Sequence, residues 1–394
     1  MNPDRPRRVA KLTTDFLSVS ETFIHDEVES HQRYQAEVLT LRRQNQDRFP
    51  VSVPVHALSP GRGIPGALET ALCRATTLSP TFQRLCRARA FDLVHAHFGT
   101  GGVYAIPYRR SGRRPLVVTF HGHEVPLLLS RRRFEPKHWG YWLLSQWLLR
   151  RADRMLAVSP TMVQQLVSLG APASRVHLFD LGIRLPATYS LDRPDSPDLP
   201  IQVLMVGRFV EKKGMEYGVR AFAKAAAGTN ARLRIVGDGP LRSTLGKVIT
   251  ECGLANQVEL PGELRHAEVL ECLRQSHIFL APSVVAKNGD SEGTPTVIKE
   301  ACAHGVPTVA SRHAGIPRQI DDGVSGFLVP ERDVDALAGK LRVLMADPGL
   351  RLRMGHAARR LVEDRFDLAK QIVVLERHYD EVLAGRDTDP GRAG

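Results

Sequence analysis

Cysteine is sparse in this chain. Five are scattered over 394 residues, Cys73, Cys86, Cys252, Cys272 and Cys302, an odd number with no metal-ligand clustering. Reduced thiols in a cytoplasmic protein are the expectation. Long apolar runs are lacking too: no stretch approaches the roughly 18 apolar residues of a membrane span. The first eight residues, MNPDRPRR, run into a strand without the apolar core of a secretion signal. No short repeat is visible. No basic strand with interleaved aromatics and no recognition-helix pattern is visible, which argues against a nucleic-acid partner.

What is present is the composition of a globular protein, 43% hydrophobic, long enough for two ordinary domains. Its charge is uneven. Residues 1–190 carry 26 Lys and Arg against 14 Asp and Glu, whereas 191–394 carry 28 of each. The whole excess lies in the first half, densest at Arg109, Arg110, Arg113, Arg114, Arg131, Arg132, Arg133 and Lys137. Such a half suits an anionic partner, a membrane surface or a lipid diphosphate; a merely solvated face is the alternative.

Apolar β-type runs at 8–13, 36–41, 51–58, 92–96, 115–120 and 154–158 alternate with helical segments, as in a parallel sheet with crossover helices. Residues 191–200, LDRPDSPDLP, read as a linker. The alternation restarts at 201–206, 232–237, 257–260, 277–281 and 307–310, and helical patterns fill 331–385. The expected organisation is a domain over 1–190, a second over 201–365, a final helix at 366–385 and a tail at 386–394.

The segment from Asp290 to Pro307 carries most of the chemistry. Glu292 and Glu300 stand eight positions apart, with Gly293-Thr294-Pro295-Thr296 between them. Pro295 suits a first helical turn and Thr294 an N-cap. Glu292 then lies in the preceding loop and Glu300 in the second turn. The positive helix end welcomes a phosphate, and a carboxylate beside it is suited to neutral hydroxyls. The pattern suggests a nucleotide-sugar site; a capped surface helix with two solvated carboxylates is the alternative. Upstream, a buried strand ends at Gly207, Arg208 follows, and Lys213-Gly214 opens a helix. Cations at the C-terminal edge of a strand stand where open α/β sheets bind ligands, and a diphosphate would satisfy both.

Together these motifs resemble the family 4 retaining glycosyltransferases, as does Val236-Gly237-Asp238-Gly239-Pro240. The order of His97-Phe98-Gly99, Thr119-Phe120-His121-Gly122-His123, the Glu292 segment and Gly315-Ile316-Pro317 is similar to that in exopolysaccharide glycosyltransferases of the colanic-acid type. The resemblance covers about residues 8–380. It implies an α/β GT-B fold, two doubly wound Rossmann-like domains facing across a cleft. The first would bind acceptor and the second the nucleotide sugar, with the last helix crossing back to the first. It also implies Arg208 and Lys213 on the donor diphosphate, Glu292 on the sugar, Glu300 on the ribose, and Gly239, Gly293, Thr294 and Thr296 lining the donor site. No metal and no cofactor beyond the nucleotide-sugar co-substrate are implied.

His121 ends a buried strand and matches the family histidine close to the transferred sugar; a satisfied structural histidine is the alternative. Ser20, His97 and Gly99 are expected in acceptor or cleft loops. His95-Ala96-His97 could suggest zinc, but no third ligand is evident, and Asp333-Val334-Asp335 reads as favourable charge at a helix start. Three departures from the family stand at Ser18-Val19-Ser20, Arg184 and Arg318. All three tryptophans, Trp139, Trp142 and Trp147, fall in one segment flanked by Arg131–Arg133, Lys137, Arg150 and Arg151. This suits a helix on anionic lipid, or one that covers the first sheet.

The expected activity is therefore hexose transfer, with retention, from a nucleoside diphosphate sugar to a lipid-linked saccharide at the cytoplasmic membrane face. A nucleotide-sugar epimerase and a nucleic-acid-modifying protein are the alternative classes.

Overall fold

The computed structural model describes residues 5–18, 22–47, 49–59, 63–110, 114–122, 124–135, 138–187, 189 and 199–387. The chain forms two compact units, Met1–Arg184 with Leu368–Gly394, and Leu185–Asp367. The boundary thus precedes the expected linker, of which 191–198 lie outside the described residues, as do Ser20 and the tail from 388.

The first unit comprises β1 (Arg7–Phe16), α1 (Thr22–Glu29), β2 (Tyr34–Arg43), β3 (Val55–Ser59), α2 (Gly63–Thr76), α3 (Pro80–Ala88), β4 (Leu93–His97), α4 (Phe98–Arg110), β5 (Leu116–Phe120), α5 (Glu124–Leu129), α6 (Trp139–Arg151), β6 (Arg154–Ala157), α7 (Pro160–Ser168) and β7 (Val176–Leu178). The second holds β8 (Gln202–Val206), α8 (Met215–Ala226), β9 (Arg232–Val236), α9 (Arg242–Glu251), β10 (Val258–Gly262), α10 (His266–Gln275), β11 (Ile278–Ala281), α11 (Thr296–Ala303), β12 (Thr308–Ser311), β13 (Gly326–Val329), α12 (Val334–Ala346) and α13 (Pro348–Arg365). The last helix, α14 (Leu368–Asp387), belongs to the first unit.

Both sheets are parallel and ordered alike: β3-β2-β1-β4-β5-β6-β7 and β10-β9-β8-β11-β12-β13. They are two Rossmann-like domains. Each order reverses once, between β1 and β4 and between β8 and β11, and such a point leaves a crevice at the strands' carboxyl ends. Helices cover both faces, so the central strands are largely buried: β5 is buried at all five positions. In α8, Met215, Gly218, Val219, Ala221, Phe222, Ala225 and Ala226 are buried, the spacing of one helical face. Ser159 and Asp347 cap α7 and α13, each followed by Pro at the first helical position. Asp333 caps α12 by accepting from Ala336 N at 2.8 Å, and Asp335 pairs with Lys224 at 2.6 Å, which accounts for that Asp-x-Asp step.

Helix α14 is locked onto the first unit. Ile372, Leu375 and Tyr379 enter its core. Glu376, fully buried, accepts from Gln32 N at 2.8 Å, Arg33 N at 3.0 Å and Arg33 Nε at 3.1 Å. Asp380 receives Arg7, Arg33 and the Tyr34 hydroxyl at 2.6–2.7 Å. Arg184, one of the family departures, donates to Asp26 at 2.9 Å and so ties the unit's end to α1.

Burial pushes the Glu376 carboxyl up, but His31 and the Arg33 and Gln32 amides outweigh it and bring it to about 2. Its folded pKa is depressed, so its contribution to stability is present above the unfolded value near 4.5 and is lost as pH falls from there toward 2. Glu376→Gln should therefore cost about 2 kcal/mol at pH 7, less than the full shift because Arg33 is half exposed and screened. In urea titrations the gap from wild type should narrow between pH 4.5 and the acid limit. A gap independent of pH would refute the assignment.

Candidate functional site

The second unit's reversal point gathers the predicted donor residues. Strand β8 ends before Gly207, and Arg208 follows on the surface. A one-turn helix at Glu211–Lys213 then leads to Gly214, whose φ of 60° and whose approach to the Pro282 carbonyl (an added Cβ would lie 2.0 Å from that oxygen) demand glycine. Lys213 is thereby carried beside the segment leaving β11. Its Nζ lies 3.1 Å from Glu292 Oε1, with only 19% and 9% of the two side chains exposed. Lys212 pairs with Asp290 at 3.2 Å. Burial pushes the Glu292 carboxyl up, yet Lys213, Lys212 and His313 outweigh it and hold it below the ordinary carboxylate value. Gly239 has φ 154°, and an added Cβ would meet the Phe209 carbonyl at 2.7 Å, so it too must be glycine.

Helix α11 begins at Thr296, one residue later than expected. Pro295 occupies the N-cap with ψ 121°, and no side chain caps the helix, so Thr294 is not the cap. The residue before a proline is driven to extended backbone, and buried Gln319 fixes the Pro295 carbonyl at 3.0 Å. Thr294 is instead buried, and the Gly293 carbonyl accepts from Gly315 N at 3.0 Å. Glu300, in the second turn of α11, lies 2.9 Å from His266 Nε2.

Two residues that sequence reasoning missed hold the Glu292 segment. His313, 1% exposed, accepts from Glu292 N through Nε2 at 3.1 Å and faces Glu331 Oε1 through Nδ1 at 2.6 Å. The Glu331 carboxylate also accepts from Val285 N at 2.8 Å. The amide donates to Nε2, so the proton of the neutral ring must sit on Nδ1, facing the carboxylate. The only signal in the sequence is that His313 stands two residues before the Gly315-Ile316-Pro317 motif.

In the first unit, His121 follows β5. Its backbone N and that of Gly122 donate to buried Glu124 at 2.6 and 3.0 Å, so Glu124, also missed, caps the turn. Neither His97 nor Gly99 lies in a loop. His97 is the last residue of β4 and fully buried, and Gly99 lies in the first turn of α4. A Cβ at Gly99 would stand 2.3 Å from the Tyr141 hydroxyl, so the glycine allows helix packing and forms no cleft loop. A third candidate ligand for His95 and His97 exists in Glu27, all three offering atoms within 4.8 Å of one another. The Lys11 ammonium already sits there, 2.5 Å from Glu27 Oε1 and 2.8 Å from His95 Nδ1.

Two parallel-sheet domains of this order, one with a lysine–glutamate pair at its reversal point, define the GT-B class. The chain belongs to the family 4 glycosyltransferases. The family model Glycosyl transferases group 1 matches residues 191–361, and Glycosyl transferase 4-like domain matches 30–182. WcaL of Salmonella typhimurium, named for colanic acid biosynthesis, is 34% identical over 253 residues, 64% of this chain and 60% of that protein. The chain thus spans about three fifths of the length of this relative. Erwinia amylovora AmsK, an amylovoran biosynthesis glycosyltransferase, is 33% identical over 284 residues, 71% of this chain and 67% of that one. In fold the chain is similar to Anabaena HepE in complex with UDP and glucose (TM-score 0.74, 20% identity, 95% of this chain and 100% of that chain). It is likewise similar to sucrose-phosphate synthase from Thermosynechococcus elongatus (TM-score 0.77, 20% identity, 96% and 100%).

Removing the His313 ring strands the Glu292 amide and takes one partner from the Glu331 carboxylate. His313→Leu should cost about 2–3 kcal/mol of stability, whereas His313→Gln, which can accept and donate at the same two points, should recover more than half of that. Denaturant titration reads both; equal losses would show that packing volume, not the hydrogen-bond pair, fixes this position.

Proposed function

We propose that the protein transfers a hexose, with retention, from a nucleoside diphosphate sugar to a lipid-linked saccharide in exopolysaccharide or cell-envelope glycan biosynthesis. The Lys213–Glu292 pair carries this reading. A cation suited to phosphate and a carboxylate suited to sugar hydroxyls face each other at 3.1 Å beside the N-terminus of α11. Donor binding exchanges partners: Lys213 and Arg208 turn to the diphosphate, Glu292 to the hexose and Glu300 to the ribose, replacing His266. Gly239, Gly293 and Thr296 bring backbone close to the phosphates, where the helix dipole favours negative charge. The likeness to exopolysaccharide enzymes, and to a fold relative crystallised with UDP and glucose, supports both substrate classes.

Charge develops on the departing diphosphate, so its stabilisation is the main catalytic task. Arg208, Lys213 and the α11 N-terminus supply this, without a divalent cation. The acceptor attacks from the face the diphosphate leaves, and the leaving phosphate takes its proton. His121 contacts the transferred sugar. Arg208→Ala and Lys213→Ala should each remove about 2–4 kcal/mol of transition-state stabilisation, roughly 30- to 900-fold in kcat/KM, while wild-type turnover persists in excess chelator. Near wild-type rates from the folded variants would sink the leaving-group role; a loss in chelator restored by magnesium would return a metal to the mechanism.

Among the described residues no helix is long and apolar enough to cross a membrane. Helix α6 buries Ser145, Leu148 and Leu149 against its own unit, while Trp139, Leu143 and Leu144 point outward, close in sequence to exposed Leu129 and Phe134. One face of the segment packs, and the other is apolar, with exposed Arg131, Arg150 and Arg151 near it in sequence. This outward face rests on anionic lipid and brings the enzyme to its acceptor. Co-sedimentation with vesicles should require anionic lipid, fall with salt, and drop when Arg131, Arg132 and Arg133 become Ser, each cation being worth about 1 kcal/mol. Indifference to anionic vesicles at low salt would point to a soluble acceptor.

A further inference from the structure

Behind His121 runs a buried polar chain that the donor chemistry does not use. His121 Nε2 lies 3.2 Å from His97 Nδ1, with the rings stacked at 5.4 Å and an angle of 19°. His97 Nε2 lies 3.3 Å from Glu27 Oε1. Glu27 Oε1 is also 2.5 Å from Lys11 Nζ, and that ammonium bonds the Tyr379 hydroxyl at 2.7 Å and His95 Nδ1 at 2.8 Å. His95 Nε2 in turn meets Thr119 Oγ1 at 2.7 Å. Lys11, Glu27, His95, His97 and Tyr379 are all 2% exposed or less. Phe23 and Phe98 pack on the His121 ring at 4.7 and 4.6 Å.

The protons in this chain can be assigned from charge. Burial pushes the Glu27 carboxyl up, but the Lys11 ammonium 2.5 Å away outweighs it and holds it well below the ordinary value, so it is a carboxylate. A carboxylate can only accept. His97 must therefore direct an N–H from Nε2 toward it, which makes His97 Nδ1 the lone-pair atom. That atom accepts from His121, whose proton is thereby held on Nε2. The reverse arrangement would set a lone pair of His97 against the Glu27 carboxylate, a repulsion that a low dielectric magnifies.

We infer that Glu27 and His97 are positioning residues that fix His121 in the tautomer with Nε2 protonated and Nδ1 the hydrogen-bond acceptor. This rests on the role given to His121 above. It makes that ring a hydrogen-bond acceptor toward a hydroxyl of the transferred sugar, with its Nε2 proton held by Glu27 through His97. Lys11 is then the counter-charge that keeps Glu27 ionised and holds it in place from β1, and Tyr379 ties the assembly to α14.

The test reads the tautomer directly. Long-range proton–nitrogen correlation spectra of nitrogen-15 histidine-labelled protein, with the His121 signals assigned by their loss in His121→Ala, should show a protonated Nε2 and a bare Nδ1. A protonated Nδ1 in the wild-type protein overturns the inference without reference to activity or to any variant. His97→Phe should release the tautomer to a mixture and lower kcat about tenfold or more at unchanged affinity for the nucleoside diphosphate. His97→Gln, which can donate to Glu27 and accept from His121, should stay within about threefold of wild type. An unaltered tautomer and kcat in folded His97→Phe also overturn it. Full turnover by His121→Ala would instead remove the catalytic role of His121, while the spectra still judge the tautomer chain.

Discussion

The candidate site depends on one contact, the half-hidden pairing of Lys213 with Glu292. A buried cation and anion stabilise little as a pair, because desolvation offsets most of their attraction, but each is costly to leave alone. Such a pair persists where its members have another task, and its surroundings are arranged to let them exchange partners. Gly214 lets the chain turn so that Lys213 faces the reversal point of the sheet. Lys212 on one side and the Glu331–His313 pair on the other hold the Glu292 segment by its backbone and by Asp290. The carboxylate can then move while its loop does not.

The first unit contains a second lysine–glutamate pair with the opposite character. Lys11 and Glu27 are enclosed, at 1% and 3% side-chain exposure, and every neighbour is committed to strands or helices of the same unit. No ligand can reach that pair, so its effect must pass through His97 to His121. Lys213 and Glu292 follow the ends of β8 and β11, whereas Lys11 lies within β1 and Glu27 within α1.

The parallel α/β architecture was legible in the sequence because buried strands leave continuous apolar runs, and Val203–Val206 and Leu116–Phe120 are such runs. The edge strands β7 and β13 were not read from it. Arg208, Lys213, Glu292 and Glu300 could be read because they sit in local motifs whose chemistry is written in adjacent residues. The start of α11 was misplaced by one position because the hold of Gln319 on Pro295 comes from 24 residues away. Gly99 imitated a loop residue; the contact that requires it, with Tyr141, is tertiary. The Lys11 cluster was invisible for the same reason, its partners lying 16, 84 and 368 residues apart.

The exchange of partners at Lys213 is the centre of this account, and it makes an unusual demand: the sugar-binding carboxylate should compete with the bare nucleotide. Calorimetric titration of a nucleoside diphosphate into wild-type protein and into Glu292→Gln measures that competition. The account requires the variant to bind the diphosphate more tightly, because Lys213 no longer has to leave an anion, while affinity for the intact nucleotide sugar falls. Weaker binding of the diphosphate by Glu292→Gln would show that Glu292 supports the phosphate site instead of competing for its lysine, and would contradict the account.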